Sequence, residues 1–436
     1  MGNRRGKLLR RLVHLWAAVL LAGGARAQIP DVDIPDTVPS RMGVPGVLTP
    51  GGELVSGAAG AADRTVRRLA GARFARIEGL AREHRAELDR DPQGELVVRA
   101  EVVALDITAA ALKLALDHQF LLKRTQELAE LGVKISVLQT PEGWTARRGL
   151  KQLRKLDPTG SYDFNHVYLD GGAAGAIAPV APAAIEGPRG KGRVGLIDGG
   201  VDGGHLVFQN VRLQRFGCDG AIVPSAHGTA VAAILATHAA VDQIFAADVY
   251  CNAPAGGAVD AVAAALGWMA REQIGVINIS LVGPRNALLE RAVNSLVTRG
   301  FVIVAAVGND GPSSPPLYPA AYPGVVGVTA VDADHRVLVE ACRGEQVDFA
   351  ARGADMKAAT KAPDGYGAVR GTSFAAPIVA ALLVEDVSAP DAGAREHALA
   401  KWTGAARDLG KRGRDDVYGA GELGAVPETV AEGSNK

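Results

Sequence analysis

Residues 192–200 read GRVGLIDGG, a short apolar run that ends in a carboxylate and two glycines. Further apolar runs of strand length follow it, separated by helical stretches. Strands are predicted at Val194 to Ile197, Phe245 to Tyr250, Val276 to Leu281, Phe301 to Val307 and Val325 to Val331, and helices at about Thr229 to Thr237, Val259 to Arg271 and Ala287 to Arg299, with another starting near Ser373. Uniformly apolar strands that alternate with helices are typical of a parallel sheet covered on both faces. We therefore predict an α/β fold over residues 192–430, with the carboxyl ends of its strands at one edge.

Residues 95–170 predict a smaller α/β unit ahead of this sheet. Its predicted elements are a strand at Leu96 to Ile107, a helix from Thr108 to about Leu131, a strand at Val133 to Leu138, a helix from about Thr145 to Leu156 and a strand at Asn165 to Leu169. This order predicts a small, open-faced, ferredoxin-like sandwich. Residues 171–191 are rich in Gly, Ala and Pro, which indicates a linker open to proteolytic cleavage.

The beginning of the chain predicts export. Five basic residues precede a short apolar run from Leu12 to Ala22, and Ala25-Arg26-Ala27 supplies small residues at a cleavage site. This order is typical of a signal peptide, here residues 1–27. A membrane anchor is the alternative, but the run is shorter than the roughly 20 apolar residues that a bilayer core requires. We therefore expect a secreted or periplasmic protein with no stable membrane anchor.

Residues 28–94 join this leader to the smaller unit. Prolines and glycines fill the stretch to residue 63 and indicate an extended linker. From Arg64 onward, apolar residues recur near helical spacing among many arginines. A basic amphipathic helix can bind a membrane surface, but the interspersed glutamates and glycines favour a helix that packs on the unit that follows.

The composition excludes several classes of function. Lys+Arg and Asp+Glu both number 47, so the formal net charge is zero and no nucleic-acid partner is expected. Cys218, Cys251 and Cys342 allow one disulfide, between the first two, or three reduced thiols, and the sequence leaves both open. Their spacing excludes a zinc cluster. The sequence has no glycine-rich phosphate loop, His-Glu-x-x-His motif or Gly-x-Ser-x-Gly motif, so we predict neither a cofactor nor a metal.

Four polar residues lie at predicted strand ends or helix starts of the larger unit. Asp198 ends the first strand, His227 begins a helix, Asn309 follows an apolar strand and Ser373 begins the last helix. Taken singly, each is more typical of a turn or a helix cap. Taken together, they supply an orienting acid, a base, an oxyanion donor and a nucleophile. His205, a rival base, follows two glycines in a turn and is interpreted as structural.

These residues resemble the subtilisin-like serine proteases, or subtilases (peptidase family S8). The resemblance spans about residues 192–425 and rests on Asp198-Gly199-Gly200, His227-Gly228-Thr229, Asn309 and Gly371-Thr372-Ser373-Phe374-Ala375-Ala376-Pro377. It implies that Asp198, His227 and Ser373 form a catalytic triad, and that Asn309 completes an oxyanion hole with the Ser373 N–H. It also implies that residues 95–170 are a propeptide, which acts in cis as folding template and temporary inhibitor.

The resemblance also suggests where protein or peptide substrates bind. The segment Ser280-Leu281-Val282-Gly283 resembles the family's substrate-binding edge, against which an extended peptide adds as a strand. Val282 stands where the family more often has glycine, and Leu317 narrows the pocket for the residue before the cut bond. We therefore predict a preference for small or medium apolar residues there. The short connection after His227 lacks the loop that often holds calcium in the family, so no calcium is predicted by that route.

The predicted function is an exported serine endopeptidase, made as a zymogen that processes itself within residues 171–191. Two alternatives share the fold, namely a catalytically silent binding module and a ligase or cyclase that joins peptides. All four chemical positions hold competent residues, which favours the hydrolytic enzyme.

Overall fold

The computed structural model describes residues 71–424, with gaps at 72, 172, 175–189, 239 and 362–364. The predicted signal peptide, the proline-rich linker, the start of the basic segment, most of the linker 171–191 and residues 425–430 lie outside the described residues. Within the described ranges, no helix has the length and apolar character that a membrane span requires.

An antiparallel sheet of five strands forms the N-terminal part of the described chain. Its elements are α1 (73–83), β1 (Leu88–Arg90), β2 (Leu96–Leu105), α2 (Ala109–Asp117), β3 (Leu121–Leu128), β4 (Val133–Gln139), α3 (Ala146–Leu156) and β5 (Ser161–His166). The central strand β2 pairs with β4 and β5, β3 lies beyond β4, and β1 pairs with the first residues of β2. From β2 to β5 the order is β-α-β-β-α-β, which is the ferredoxin-like arrangement.

One predicted helix is wrong in its second half. The sequence predicts a helix from Thr108 to about Leu131, but α2 ends at Asp117 and β3 follows it. Gln119 has a φ of 65°, a left-handed conformation that turns the chain out of the helix. Because β3 lies at the sheet edge with all but its last residue exposed, it lacks the alternation that marks a half-buried strand. The last predicted strand also begins too late, since β5 starts at Ser161.

The rest of the described chain builds a larger sheet and its helices. After two short strands, β6 (Leu169–Asp170) and β7 (Ala173–Ala174), the elements are β8 (Gly192–Asp198), β9 (Arg212–Phe216), α4 (Ala226–Ala236), β10 (Val241–Asp248), α5 (Val259–Arg271), β11 (Val276–Ile279), β12 (Leu281–Val282), α6 (Ala287–Thr298), β13 (Val302–Ala306), β14 (Val326–Val331), β15 (Phe349–Arg352), β16 (Met356–Ala359), β17 (Tyr366–Arg370), α7 (Thr372–Leu383) and α8 (Ala392–Ala405). Seven strands pair in the order β15-β14-β13-β11-β8-β10-β9, all parallel. The predicted parallel α/β sheet is confirmed.

The inner strands of this sheet are largely apolar because helices cover both faces. In β13, Val302 and Val304 pack in the core that contains α4 and α7, whereas Ile303 and Ala305 pack in the core that contains α5 and α6. All four side chains are fully buried. Side chains that alternate between two buried faces leave no polar position along the strand, so polar residues collect at the strand ends.

The five-stranded sheet packs on the second of these cores. Ile135 and Val137 of β4 belong to the same apolar cluster as Leu266 of α5. Ion pairs surround this contact, among them Arg124 with Asp260, whose atoms approach to 2.6 Å. This docking brings the end of β5 to the strand ends of the larger sheet.

The cysteines divide into one disulfide and one thiol. Cys218, after β9, is bonded to Cys251, after β10, so of the two possibilities left open by the sequence the disulfide is the one formed. Among the described residues, these cysteines and Asp248 form the one acidic and thiol cluster close enough to hold a metal, but a disulfide offers no thiolate ligand. Cys342 is buried, and burial raises the pKa of its thiol to about 11.

Candidate active site

The structure brings Asp198 and His227 into direct contact. Asp198 is the last residue of β8 and is fully buried, and its Oδ1 accepts a hydrogen bond from the Gly199 N–H. His227 lies in the first turn of α4, where the Ser225 hydroxyl caps the helix by accepting from Gly228 N–H at 2.8 Å. The imidazole Nδ1 lies 2.9 and 3.0 Å from the two carboxylate oxygens of Asp198. The carboxylate therefore fixes the orientation of the ring.

The same contact sets the proton affinity of the imidazole. Burial alone would lower the pKa of His227, but the charge of Asp198 and the hydrogen bond to it outweigh burial and raise the pKa above its ordinary value. The Asp170 carboxylate adds to the rise, and the Arg76 guanidinium opposes it. His227 Nε2 is buried and has no hydrogen-bond partner among the described residues. A base of raised pKa thus presents one unpaired nitrogen.

Ser373 is the second residue of α7. It is fully buried, and its hydroxyl donates to the Ser280 carbonyl oxygen at 3.3 Å rather than to His227. The next residue, Phe374, has its ring centroid 5.3 Å from that of the imidazole. The Ser280 hydroxyl donates in turn to the Ser373 carbonyl at 3.0 Å. Ser280, predicted as substrate-binding, therefore positions the start of α7.

Asn309 is oriented by the same helix start. Its Oδ1 accepts from the Thr372 N–H at 3.1 Å, and the Thr372 hydroxyl accepts from the Gly308 N–H at 3.2 Å. Gly308 has a φ of 103°, which lets the chain turn sharply after β13. With Oδ1 engaged, the Nδ2 group is buried and has no partner within the part of the chain that the structure describes. Asn309 therefore holds a free amide donor at the strand end.

Gly171 lies against both the Ser373 hydroxyl and the Asn309 amide. A methyl group built on its Cα would be 3.0 Å from Ser373 Oγ, 3.6 Å from Asn309 Nδ2 and 3.6 Å from Val282 Cγ1. The predicted nucleophile and the predicted oxyanion donor thus meet around one residue of the chain itself. From the sequence, Gly171 was predicted only as the first residue of a linker, with no role in the site.

The segment around Gly171 runs through a cleft as an added strand. On one side β6 pairs antiparallel with β12, Leu281 opposite Asp170 and Val282 opposite Leu169. On the other side, the Tyr168 N–H donates to the Gly257 carbonyl at 2.8 Å. Farther along, β7 pairs antiparallel with β17. The edge predicted to bind substrate therefore holds the protein's own chain, on both sides of Ser373.

The other predicted substrate residues line this cleft or support it. A methyl group built on Gly283 would lie 2.5 Å from the ring of Tyr168, so the glycine makes room for that ring. The Tyr168 hydroxyl donates to the Pro284 carbonyl at 2.7 Å. Leu317 is buried, and its Cδ1 lies 2.5 Å from a methyl group built on Gly308, which places it behind the turn that carries Asn309.

Two arginines of α1 reach the cleft, and sequence reasoning missed both. Arg76 donates to the Asp170 carbonyl at 3.0 Å and pairs with the Asp170 carboxylate. Arg73 pairs with Glu95 at 2.5 Å and with Asp310 at 3.2 Å. The basic segment contains many arginines at similar spacing, so no local signal separates these two from the rest.

The rival base His205 lies elsewhere and has backbone partners. Its Nδ1 accepts from the Val207 N–H at 3.1 Å, and its Nε2 lies 2.9 Å from the Gly365 carbonyl oxygen. With both ring nitrogens engaged, it holds two loops together, in agreement with its interpretation as structural.

Comparisons with known proteins agree with the resemblance to the subtilases. The model of the Subtilase family (peptidase S8) matches residues 193–421. Subtilisin E from Bacillus subtilis (strain 168) is 31% identical over 257 residues, which cover 53% of this chain and 66% of that protein. Subtilisin BL from Lederbergia lenta is 38% identical over 125 residues, 28% of this chain and 46% of that protein. Fervidolysin from Fervidobacterium pennivorans, a keratinolytic enzyme related to subtilisin, shares the fold in its crystal structure, with a TM-score of 0.63 at 18% identity over 77% of this chain and 61% of that one.

Proposed function

This chain belongs to the subtilase family, and from that premise we propose that it is a serine endopeptidase with Ser373 as its nucleophile. The observation that carries the proposal is the placement of Gly171 against both the Ser373 hydroxyl and the Asn309 amide. A peptide backbone held at a hydroxyl beside an unpaired amide donor is the arrangement that acyl transfer requires.

His227 is the general base of the reaction. Asp198 holds Nδ1, so the unpaired Nε2 is the nitrogen that takes a proton. Ser373 reaches it by rotating its hydroxyl away from the Ser280 carbonyl. As the serine oxygen bonds to the carbonyl carbon of the substrate, its proton passes to His227, and Asp198 stabilises the imidazolium that forms.

Asn309 stabilises the negative charge that develops on the substrate oxygen. Its free Nδ2 group and the Ser373 backbone N–H, which points out of the first turn of α7, are the two donors. When the tetrahedral adduct collapses, His227 gives its proton to the leaving amine. Water, deprotonated by the same imidazole, then releases the acyl group from Ser373.

The segment that ends at Gly171 is the propeptide and inhibits the enzyme in cis. Leu169 and Asp170 occupy the substrate edge, and Ala173 and Ala174 pair with β17 beyond the nucleophile. Gly171 therefore lies between these two pairings, and we assign the first self-cleavage to the Gly171–Gly172 bond, within the predicted linker 171–191. The precursor is exported by the signal peptide, residues 1–27, to a secreted or periplasmic location.

Substrates are proteins and peptides that bind in the same extended form. Val282 lies beside Gly171, and Leu317 lies behind the turn of Asn309. Both support a preference for small or medium apolar residues before the cut bond. Cleavage of a peptide library that is fastest after large aromatic residues would contradict this preference.

The test is self-processing of the full-length chain. We expect the purified precursor to yield a product that begins at Gly172, measured by mass and N-terminal sequencing, and expect a serine-directed phosphonate to label that product at Ser373. Ser373→Ala removes the nucleophile and should leave the chain uncut. Ser295→Ala, a change of a partly buried serine on α6, is the control and should process normally.

Three outcomes would contradict the proposal. Processed protein that fails to react with the phosphonate would indicate a silent binding module. Joined peptides as the main product in the presence of an added amine would indicate a ligase. A Ser373→Ala chain that loses its N-terminal segment unaided would rule out self-processing.

A further inference from the structure

A buried asparagine interrupts the apolar strand β11. Asn278 is fully buried, and its pairing neighbours Leu196 on β8 and Val304 on β13 belong to the apolar core that contains α7. Its Nδ2 donates to the Ser280 hydroxyl at 2.9 Å, whereas its Oδ1 has no hydrogen-bond partner among the described residues. A buried amide with an unpaired oxygen lowers the stability of an apolar core. Folding stability alone therefore does not account for an asparagine at this position.

The start of α7 lacks one hydrogen bond of a regular helix. In an α-helix, the carbonyl oxygen of Ser373 would accept from the N–H four residues later, at position 377. That position holds Pro377, which has no N–H and whose ring crowds the same carbonyl. The Ser373 carbonyl thus needs a donor from outside the α-helical pattern. The Ser280 hydroxyl supplies one at 3.0 Å.

Asn278 sets the direction of that hydroxyl. A hydroxyl has one hydrogen to donate and lone pairs that accept. Because the Asn278 amide donates to Ser280 Oγ, the hydroxyl hydrogen points away from the amide and toward the Ser373 carbonyl. In the opposite direction, the Ser373 hydroxyl donates to the Ser280 carbonyl at 3.3 Å. Residues 280 and 373 are therefore joined by two hydrogen bonds, and Asn278 orients one of them.

We infer that Asn278 is a positioning residue for the nucleophile. Through the Ser280 hydroxyl, it holds the Ser373 carbonyl that Pro377 leaves without its helical donor. The inference rests on the proposed endopeptidase function and adds a residue to the support of that site. Fixing the Ser373 backbone fixes the position from which its hydroxyl rotates toward His227, and a displacement of about 1 Å can lower a rate by about 100-fold. The effect of Asn278 is therefore on kcat.

The test is a double-mutant cycle in enzyme that has processed itself from the full-length chain. The substrate is a fluorogenic peptide of sequence Tyr-Leu-Asp-Gly, which copies residues 168–171. Asn278→Leu keeps the size of the side chain but removes the amide donor, so kcat should fall about 10-fold with KM changed less than about 2-fold. Pro377→Ala restores an N–H that donates to the Ser373 carbonyl. In that background, Asn278→Leu should lower kcat less than about 3-fold.

Thr329→Val is the matched control. Thr329 is also fully buried in the seven-stranded sheet, and its hydroxyl has no hydrogen-bond partner in the part of the chain that the structure describes. Removal of this hydroxyl should leave kcat within about 2-fold of wild type. Asn278→Ala is the second variant. If Asn278→Leu fails to fold, Asn278→Ala is taken through the same cycle and judged by the same criteria.

Each result decides the inference separately from the proposed function. Wild-type enzyme that is labelled at Ser373 and cuts the peptide, with kcat unchanged in the Asn278 variant, overturns the inference and leaves the endopeptidase intact. Equal losses of kcat with and without Pro377→Ala also overturn it, because Asn278 would then act independently of the Ser373 carbonyl. If Pro377→Ala yields no active enzyme, the kcat and KM of the Asn278 variant decide, and a loss confined to KM overturns the inference. Absence of labelling and of all cleavage in the wild-type chain overturns the proposed function itself.

Discussion

The two sheets of this protein differ in which helices cover them. The seven-stranded sheet has α4 and α7 on one face and α5 and α6 on the other. The five-stranded sheet has its own helices α2 and α3 on one face, but its other face packs on α5 and α6 of the larger fold. The seven-stranded sheet thus has helices of its own fold on both faces. The five-stranded sheet has its second face covered only by packing on helices of the larger fold.

Because of this difference, we expect cleavage of the bond after Gly171 and release of the N-terminal segment to be separate steps. The contact of β4 with α5 and the ion pairs around it do not depend on the bond after Gly171, so they persist when that bond is cut. The arginines of α1 add contacts at the cleft itself. Under the proposed function, we therefore expect a cleaved N-terminal segment to inhibit until it dissociates, and we expect changes in each region to affect different steps.

The largest effect on catalysis is expected from a substitution at the strand ends of the seven-stranded sheet. Asn309→Ala removes the proposed side-chain oxyanion donor, which is expected to act on the transition state more than on the bound substrate. We expect kcat to fall by about 100- to 1000-fold with KM little changed, a magnitude taken from a relative in this family rather than from this chain. Steady-state kinetics of the processed enzyme measure it. A rise in KM with kcat unchanged would assign Asn309 to substrate binding instead.

A smaller effect is expected where the two regions meet. Arg76→Ala removes a hydrogen bond and a half-exposed ion pair to Asp170, so the N-terminal segment should dissociate faster. We expect the lag before full activity to shorten by about 3- to 10-fold. Arg82→Ala, an exposed arginine of the same helix, is the control and should keep the wild-type lag. Equal lags for both variants would mean that Arg76 does not hold the segment in place.

The smallest effect concerns the pH at which the processed enzyme works. His227 must be neutral to accept a proton, and its pKa is raised above the ordinary value of 6.5. As pH falls, kcat/KM should therefore decline through a midpoint above 6.5, measured as a pH profile. Arg76 leaves with the N-terminal segment, so Arg76→Ala should give the same midpoint. A midpoint below 6.5 would mean that burial outweighs Asp198.

The sequence predicts the larger sheet well because its inner strands are buried on both faces. β13 is a continuous apolar run, β8 contains one from Val194 to Ile197, and β11 is interrupted only by the buried Asn278, so the pattern of each strand can be recognised from its own residues. β3 and β9 lie at sheet edges with mostly exposed side chains, and neither was predicted. Edge strands are held by backbone hydrogen bonds, and these cannot be recognised from the order of apolar and polar side chains.

The candidate site likewise has residues that the sequence predicts and residues that it does not. Asp198, His227, Asn309 and Ser373 were predicted because each combines a reactive side chain with a strand end or helix start. The partners that fill the cleft were not predicted. Arg76 and Asp170 are 94 positions apart, and a charge pair between distant residues has no signature in either local sequence. Only the fold selects which arginine meets which carboxylate.

The disulfide lies at one edge of the larger sheet. β9 is its edge strand, with three of five residues exposed, and the bridge ties the turn after β9 to the loop after β10. Edges are where a sheet first opens, and an opened strand has the extended form in which peptides are cut. An endopeptidase at high concentration is surrounded by copies of itself. If the proposed endopeptidase function holds, we expect the cross-link to slow the digestion of each molecule by its neighbours.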